Sequence, residues 1–162
     1  MIIAVVGGSK PAPDALTQAE AVGRELAQRG HTVICGGLGG VMEAACRGAR
    51  EAGGHTIGVL PGADPRDANQ HVEYPIVTNM GVARNAVIVL TAAAVIAVDG
   101  SYGTLSEIAI ALNYGKPVVG LDTWRVSQPG DGTDGDDEEH IVRADGAAQA
   151  VELAISAAGG GS

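Results

Sequence analysis

Phenylalanine is absent from this 162-residue chain, and one tryptophan and three tyrosines complete its large aromatic residues. A core must therefore be assembled from Ala, Val, Ile and Leu, which suits closely packed helices and strands. Cysteine is nearly absent as well. Cys35 and Cys46 form no CxxC pair and the four histidines are not clustered, so neither a metal site nor a disulfide framework is expected. Two buried thiols in a reducing, cytoplasmic compartment are the expectation. No apolar run reaches the length of a membrane span, and residues 1–6 lead into Gly7 without a basic region, so they read as a strand and not as a signal peptide. Positive charge is scarce too: 10 Lys and Arg against 19 Asp and Glu leave a net charge of −9. Such a field repels polyphosphate backbones and anionic membranes, so neither nucleic acid nor a membrane is expected as a partner. Much of the acid falls in one stretch, about residues 127–140, which reads as a solvated loop. Residues 159–162 read as a flexible tail.

What is present is glycine, 25 residues of it, and an apolar share of 46%. Short apolar runs alternate with longer Ala-rich segments of helical period, the pattern of strands joined by crossover helices. Strands are predicted at 2–6, 32–35, 56–60, 76–77, 94–98 and 117–121, and helices at 14–29, 40–52, 81–92, 104–114 and 146–157. Gly30, Gly53 and Gly115 each follow a helical run where a left-handed residue ends the helix, and Pro117 bars continuation. Asp14 and Asp145 read as N-caps. The whole is a single α/β domain over residues 1–158, doubly wound and Rossmann-like, with a mostly parallel sheet flanked by helices.

In such sheets a ligand sits outside the carboxyl ends of the strands. The glycine-rich turns all fall there: Gly7-Gly8-Ser9, Gly36-Gly37-Leu38-Gly39-Gly40, Pro61-Gly62 and Gly100-Ser101-Tyr102-Gly103-Thr104. The last opens a helix, so its N–H groups and the Thr104 hydroxyl can meet an anion at the positive end of the helix dipole. Alone the turn reads first as a tight strand-to-helix corner; the second turn from Gly36 to Gly40 weakens that reading in favour of a phosphate cradle. No Lys-Ser or Lys-Thr follows either turn, and the second does not follow the first strand, so neither a P-loop nor a dinucleotide fingerprint is present.

Glu107 lies three residues after Thr104. It is either an acid beside the phosphate pocket or half of a Thr-x-x-Glu capping box, the reading that spacing alone favours. Arg84, followed by Asn85 and an apolar run, is either a surface residue, which the sequence alone favours, or a bidentate fork for phosphate or for Glu107.

Taken together, these motifs resemble a known family. Val98-Asp99-Gly100-Ser101-Tyr102-Gly103-Thr104-Leu105-Ser106-Glu107 is similar to the PGGxGTxxE signature of the LOG-type, lysine-decarboxylase-like proteins. Gly36 to Met42 resembles the family's GGGxxGLM turn, and Met80 to Asn85 its Arg-Lys helix start. The match spans about residues 1–121 and looks closest to the small branch containing the molybdenum-cofactor carrier proteins. Asp99 stands for the signature proline, Ser101 for its second glycine, Cys35 for the first glycine of the upstream turn and Asn85 for the lysine.

The resemblance implies a homodimer or higher homo-oligomer, with Arg84 and Glu107 as the catalytic pair. It implies Gly8, Ser9, Gly36, Gly37, Gly40, Asn85 and the turn from Gly100 to Thr104 as ligand contacts. The implied activity is a hydrolase cleaving the N-glycosidic bond of nucleoside 5′-monophosphates, with no cofactor required. The alternative is a non-catalytic carrier that holds a small phosphorylated ligand such as the molybdenum cofactor.

Overall fold

The structure, a computed structural model, describes residues 1–127 and 140–160. Most of the acidic stretch and the last two residues of the tail lie outside the described residues. Seven parallel strands form one sheet in the order β4-β3-β2-β1-β5-β6-β7. They are β1 (Ile2–Gly7), β2 (Thr32–Cys35), β3 (Thr56–Leu60), β4 (Tyr74–Val77), β5 (Ala94–Val98), β6 (Val118–Leu121) and β7 (Val142–Arg143). Helices α1 (Pro13–Gln28), α2 (Val41–Glu51), α3 (Asn85–Thr91), α4 (Tyr102–Asn113) and α5 (Ala147–Gly159) connect and flank them.

Strand alternation divides the core in two. Ile3 and Val5 of β1, with Ile96 and Val98 of β5, face α1, α2 and α5 through Val22, Leu26, Ala45 and Val151. Ala4 and Val6, with Val95 and Ala97, face α3 and α4 through Ile88, Val89 and Ile108. Burial on both faces is why these strands are continuous apolar runs. Small residues on the helices let backbones touch: a Cβ at Gly23 of α1 would lie 2.0 Å from the Ala45 carbonyl oxygen of α2. A Cβ at Gly48 would lie 1.9 Å from the Glu20 carbonyl oxygen.

Gly30, Gly53 and Gly115 take positive φ after α1, α2 and α4, as predicted. The N-caps differ from the prediction. Ala12 caps α1 because Pro13, with its φ already fixed, takes the first helical position and leaves Asp14 in the first turn. Gly146 caps α5, and Asp145 instead donates its N–H to Gln149 Oε1 at 2.7 Å. The expected helix at 81–92 is a 3-10 turn (Gly81–Arg84) followed by α3. β4 begins two residues earlier than expected, β7 was not foreseen, and Gly159 ends α5 where a tail was predicted.

The chain winds from β1 outward through β2, β3 and β4, then returns to pair β5 on the other side of β1. The reversal between β1 and β5 opens the crevice at their carboxyl ends. Among the described residues, no helix is long and apolar enough to cross a membrane.

Candidate functional site

Three chain reversals meet at that crevice. The Gly8 carbonyl accepts the Val41 N–H at the start of α2, and a Cβ at Gly40 would fall 2.4 Å from the same oxygen. The turns after β1 and β2 therefore pack backbone to backbone. Asn69 fastens the second turn from outside, donating its Nδ2 to the Leu38 carbonyl and its N–H to the Gly37 carbonyl, both at 2.9 Å. From inside, the Gly37 N–H donates to Cys35 Sγ, which lies 3.5 Å from Cys46 Sγ. The bond between the thiols, helped by Gly37, draws Cys35 below the ordinary thiol range; the same bond and burial push Cys46 up.

The third reversal carries β5 into α4. Ser101 is the N-cap and Tyr102 the first helical residue, so Thr104 and Glu107 lie too deep in the helix to exchange capping bonds. The capping box therefore does not form. Asn85 holds this corner from α3, donating Nδ2 to Ser106 Oγ at 2.8 Å and to the Gly103 carbonyl at 3.4 Å. Asp99, in the place of the signature proline, has a φ of 52°, which a proline ring cannot reach.

Between these reversals lies a cleft of about 170 Å³. Of the predicted site residues, Ser9, Gly36, Arg84, Asn85, Ser101, Gly103, Thr104 and Glu107 line it. Gly8, Gly37, Gly40, Gly100 and Tyr102 belong to the supporting turns. Val6, Gly7, Leu38, Met42 and Val82 complete the walls. Gly7, Leu38 and Met42 stood in the turns already singled out and Val82 in the segment from Met80 to Asn85, whereas nothing in the pattern marked Val6 as a site residue.

Arg84 is not a surface residue: only 9% of it is exposed. Its Nη1 donates to the Val59 carbonyl at 2.9 Å, at the end of β3. Gly36 makes the room, because a Cβ there would stand 2.2 Å from Nη1. Burial lowers the guanidinium's pKa, opposed by Glu107 and Cys35. Glu107 is 7% exposed, and burial pushes its carboxyl up to about 7 despite the opposing pull of Arg84. No ion pair within 4.0 Å joins the two.

Two buried side-chain atoms among the described residues have no hydrogen-bond partner in the protein: Arg84 Nε and Thr104 Oγ1. Both belong to residues lining this cleft. An unmatched buried polar atom costs on the order of 1–3 kcal/mol, and a ligand anion accepting from both would remove that cost. Gly103 and Gly8 have no atoms crowding the place of a Cβ, so neither packing nor a positive φ demands glycine there.

A doubly wound sheet whose glycine turns and buried arginine converge at the switch point is a Rossmann-like fold with a candidate ligand cleft. The chain belongs to the SLOG cluster4 family, whose profile matches residues 1–151. It is 45% identical over 121 residues to an uncharacterized protein of Archaeoglobus fulgidus, covering 75% of this chain and 80% of that one. It is 35% identical over 122 residues to a cytokinin riboside 5′-monophosphate phosphoribohydrolase of Mycobacterium marinum, covering 69% of this chain and 65% of the relative. Its fold superposes on the molybdenum cofactor binding protein from Rippkaea orientalis with a TM-score of 0.84 and 34% identity, over 96% of this chain and 95% of that one. The resemblance read from residues 98–107 is thus borne out for family and fold.

Proposed function

We propose that the cleft binds the phosphate of a nucleoside 5′-monophosphate and that the protein hydrolyses its N-glycosidic bond. The pair of partnerless buried atoms, Arg84 Nε and Thr104 Oγ1, carries this reading, because phosphate oxygens are strong acceptors for N–H and O–H donors of this kind. The N-terminus of α4 adds its dipole. Glu107, its proton held to about pH 7, has the affinity that proton transfer at neutral pH requires. Ionised, it stabilises the positive charge that develops on the ribose as the bond between C1′ and the base nitrogen breaks, and it takes the proton of the attacking water. The water oxygen bonds to C1′, the bond's electron pair leaves with the base nitrogen, and that nitrogen takes a proton from solvent while Glu107 releases to solvent the one it took, so that one water is added in total. The products are free base and ribose 5-phosphate. In this reading the protein works as a cytoplasmic homodimer and requires no cofactor. The exposed apolar side chains Tyr74, Ile76, Val77 and Met80 along the β4 edge support a second copy covering that edge, which sedimentation tests. Incubation with AMP and other nucleoside monophosphates should release ribose 5-phosphate, and Glu107→Ala should abolish the release. No release from any of them refutes the hydrolase.

A second reading, a carrier that holds the molybdenum cofactor without turnover, is favoured by one further observation. Asn85 stands where the LOG signature has lysine, and its amide is bonded to Ser106 and Gly103 and adds no charge to the cleft. The same Arg84 and Thr104 donors would hold that ligand's phosphorylated end. Mass spectrometry of gently purified protein separates the readings: an intact bound cofactor with no turnover supports the carrier.

A further inference from the structure

Among the described residues, the two most exposed large apolar side chains are Val82 and Tyr102, each at 82%. The first lines the cleft, and the second sits in one of the turns that support it, between the lining residues Ser101 and Gly103. Isolated exposed apolar residues need no explanation, but a protein with one Trp, three Tyr and no Phe has placed two of its four rings together here. The Tyr102 ring centroid lies 5.8 Å from that of Trp124, with the planes tilted by 32°. Trp124 is itself anchored: its Nε1 donates to the Ser101 carbonyl at 3.2 Å, and its indole packs against the core under α3 and α4. The pair is therefore fixed to the turn that opens α4, with much of the tyrosine facing water.

We propose that Tyr102, backed by Trp124 and with Val82 on the cleft wall, stacks the planar base of a nucleoside 5′-monophosphate. This rests on the reading of the cleft as the phosphate site. The chemistry suits the surface: a nucleobase offers a flat apolar face with polar edges, and an aromatic platform accepts any base. The pair would thus set the requirement for a base without selecting which one.

Because Trp124 is the sole tryptophan, its emission reports on the platform directly. Two probes are titrated: ribose 5-phosphate, and the carbocyclic analogue of AMP, which has no ring oxygen to support cleavage. The analogue is expected to bind about tenfold or more tighter than ribose 5-phosphate and to change Trp124 emission. In Tyr102→Ala that advantage should vanish while ribose 5-phosphate affinity stays the same; the altered side chain is exposed, so folding should survive. Equal affinity of the two probes, or equal weakening of both by Tyr102→Ala, overturns the platform and leaves the phosphate site standing. A change of oligomeric state in Tyr102→Ala with an unchanged affinity ratio assigns the pair to a subunit contact and also overturns it. Failure of both probes to bind wild-type protein refutes the phosphate site on which the platform rests.

Discussion

Replacing Glu107 with glutamine should make the protein more stable at alkaline pH than the wild type, by an amount the burial of this carboxyl fixes. The side chain is 7% exposed, and its proton is held to about pH 7 against an ordinary value of 4.5. A folded-state affinity above the unfolded one means that the protonated carboxyl favours the fold. Its contribution is complete below pH 4.5 and is lost as the pH rises through 7. The full span corresponds to about 3 kcal/mol, of which roughly 2.5 kcal/mol falls between pH 5 and pH 8. Glutamine keeps the shape and removes the titration. Urea melts followed by Trp124 emission at pH 5, 6, 7 and 8 measure the difference between the two proteins, in which other titrating groups cancel. Wild type should lose about 2.5 kcal/mol relative to the variant across that range, roughly a 5–10 °C shift in Tm for a chain of this size. Parallel pH profiles would mean that Glu107 is solvated or paired and is not a tuned acid.

Thr104→Val should leave stability unchanged or raise it by up to about 1 kcal/mol, since the hydroxyl has no partner in the protein, while weakening phosphate binding; urea melts and calorimetry check the two halves. Gly36→Ala should displace the Arg84 guanidinium, whose Nη1 would lie 2.2 Å from the new Cβ, and lower ribose 5-phosphate affinity by about tenfold or more. Unchanged affinity in that variant would show that Arg84 does not hold the phosphate.

The sheet was legible because β1, β2, β3, β5 and β6 are buried on both faces and so appear as unbroken apolar runs. β7 was not, since two residues, Val142 and Arg143, carry no period. β4 was read only in part, because all four of its residues are exposed at the sheet edge. At the site, the turns announced themselves through glycine, but their reasons did not. Gly36 was read as an anion-binding glycine, yet its lack of a side chain also admits an arginine 48 positions further along. Arg84 looked like a surface residue because arginine usually is one, and only the fold closes β3 and α4 around it. Thr104 and Glu107 matched a capping box by spacing, but the helix begins at Tyr102, which moves both off the cap. Asn69, which braces the turn after β2, sits in a stretch with no motif.

In the proposed reaction Arg84 and Thr104 together grip the phosphate. A crystal structure with the carbocyclic analogue of AMP tests it most directly. Phosphate oxygens should lie within hydrogen-bond distance of Arg84 Nε and Thr104 Oγ1, at the N-terminus of α4. A phosphate bound elsewhere, with both atoms still unpartnered, would contradict it.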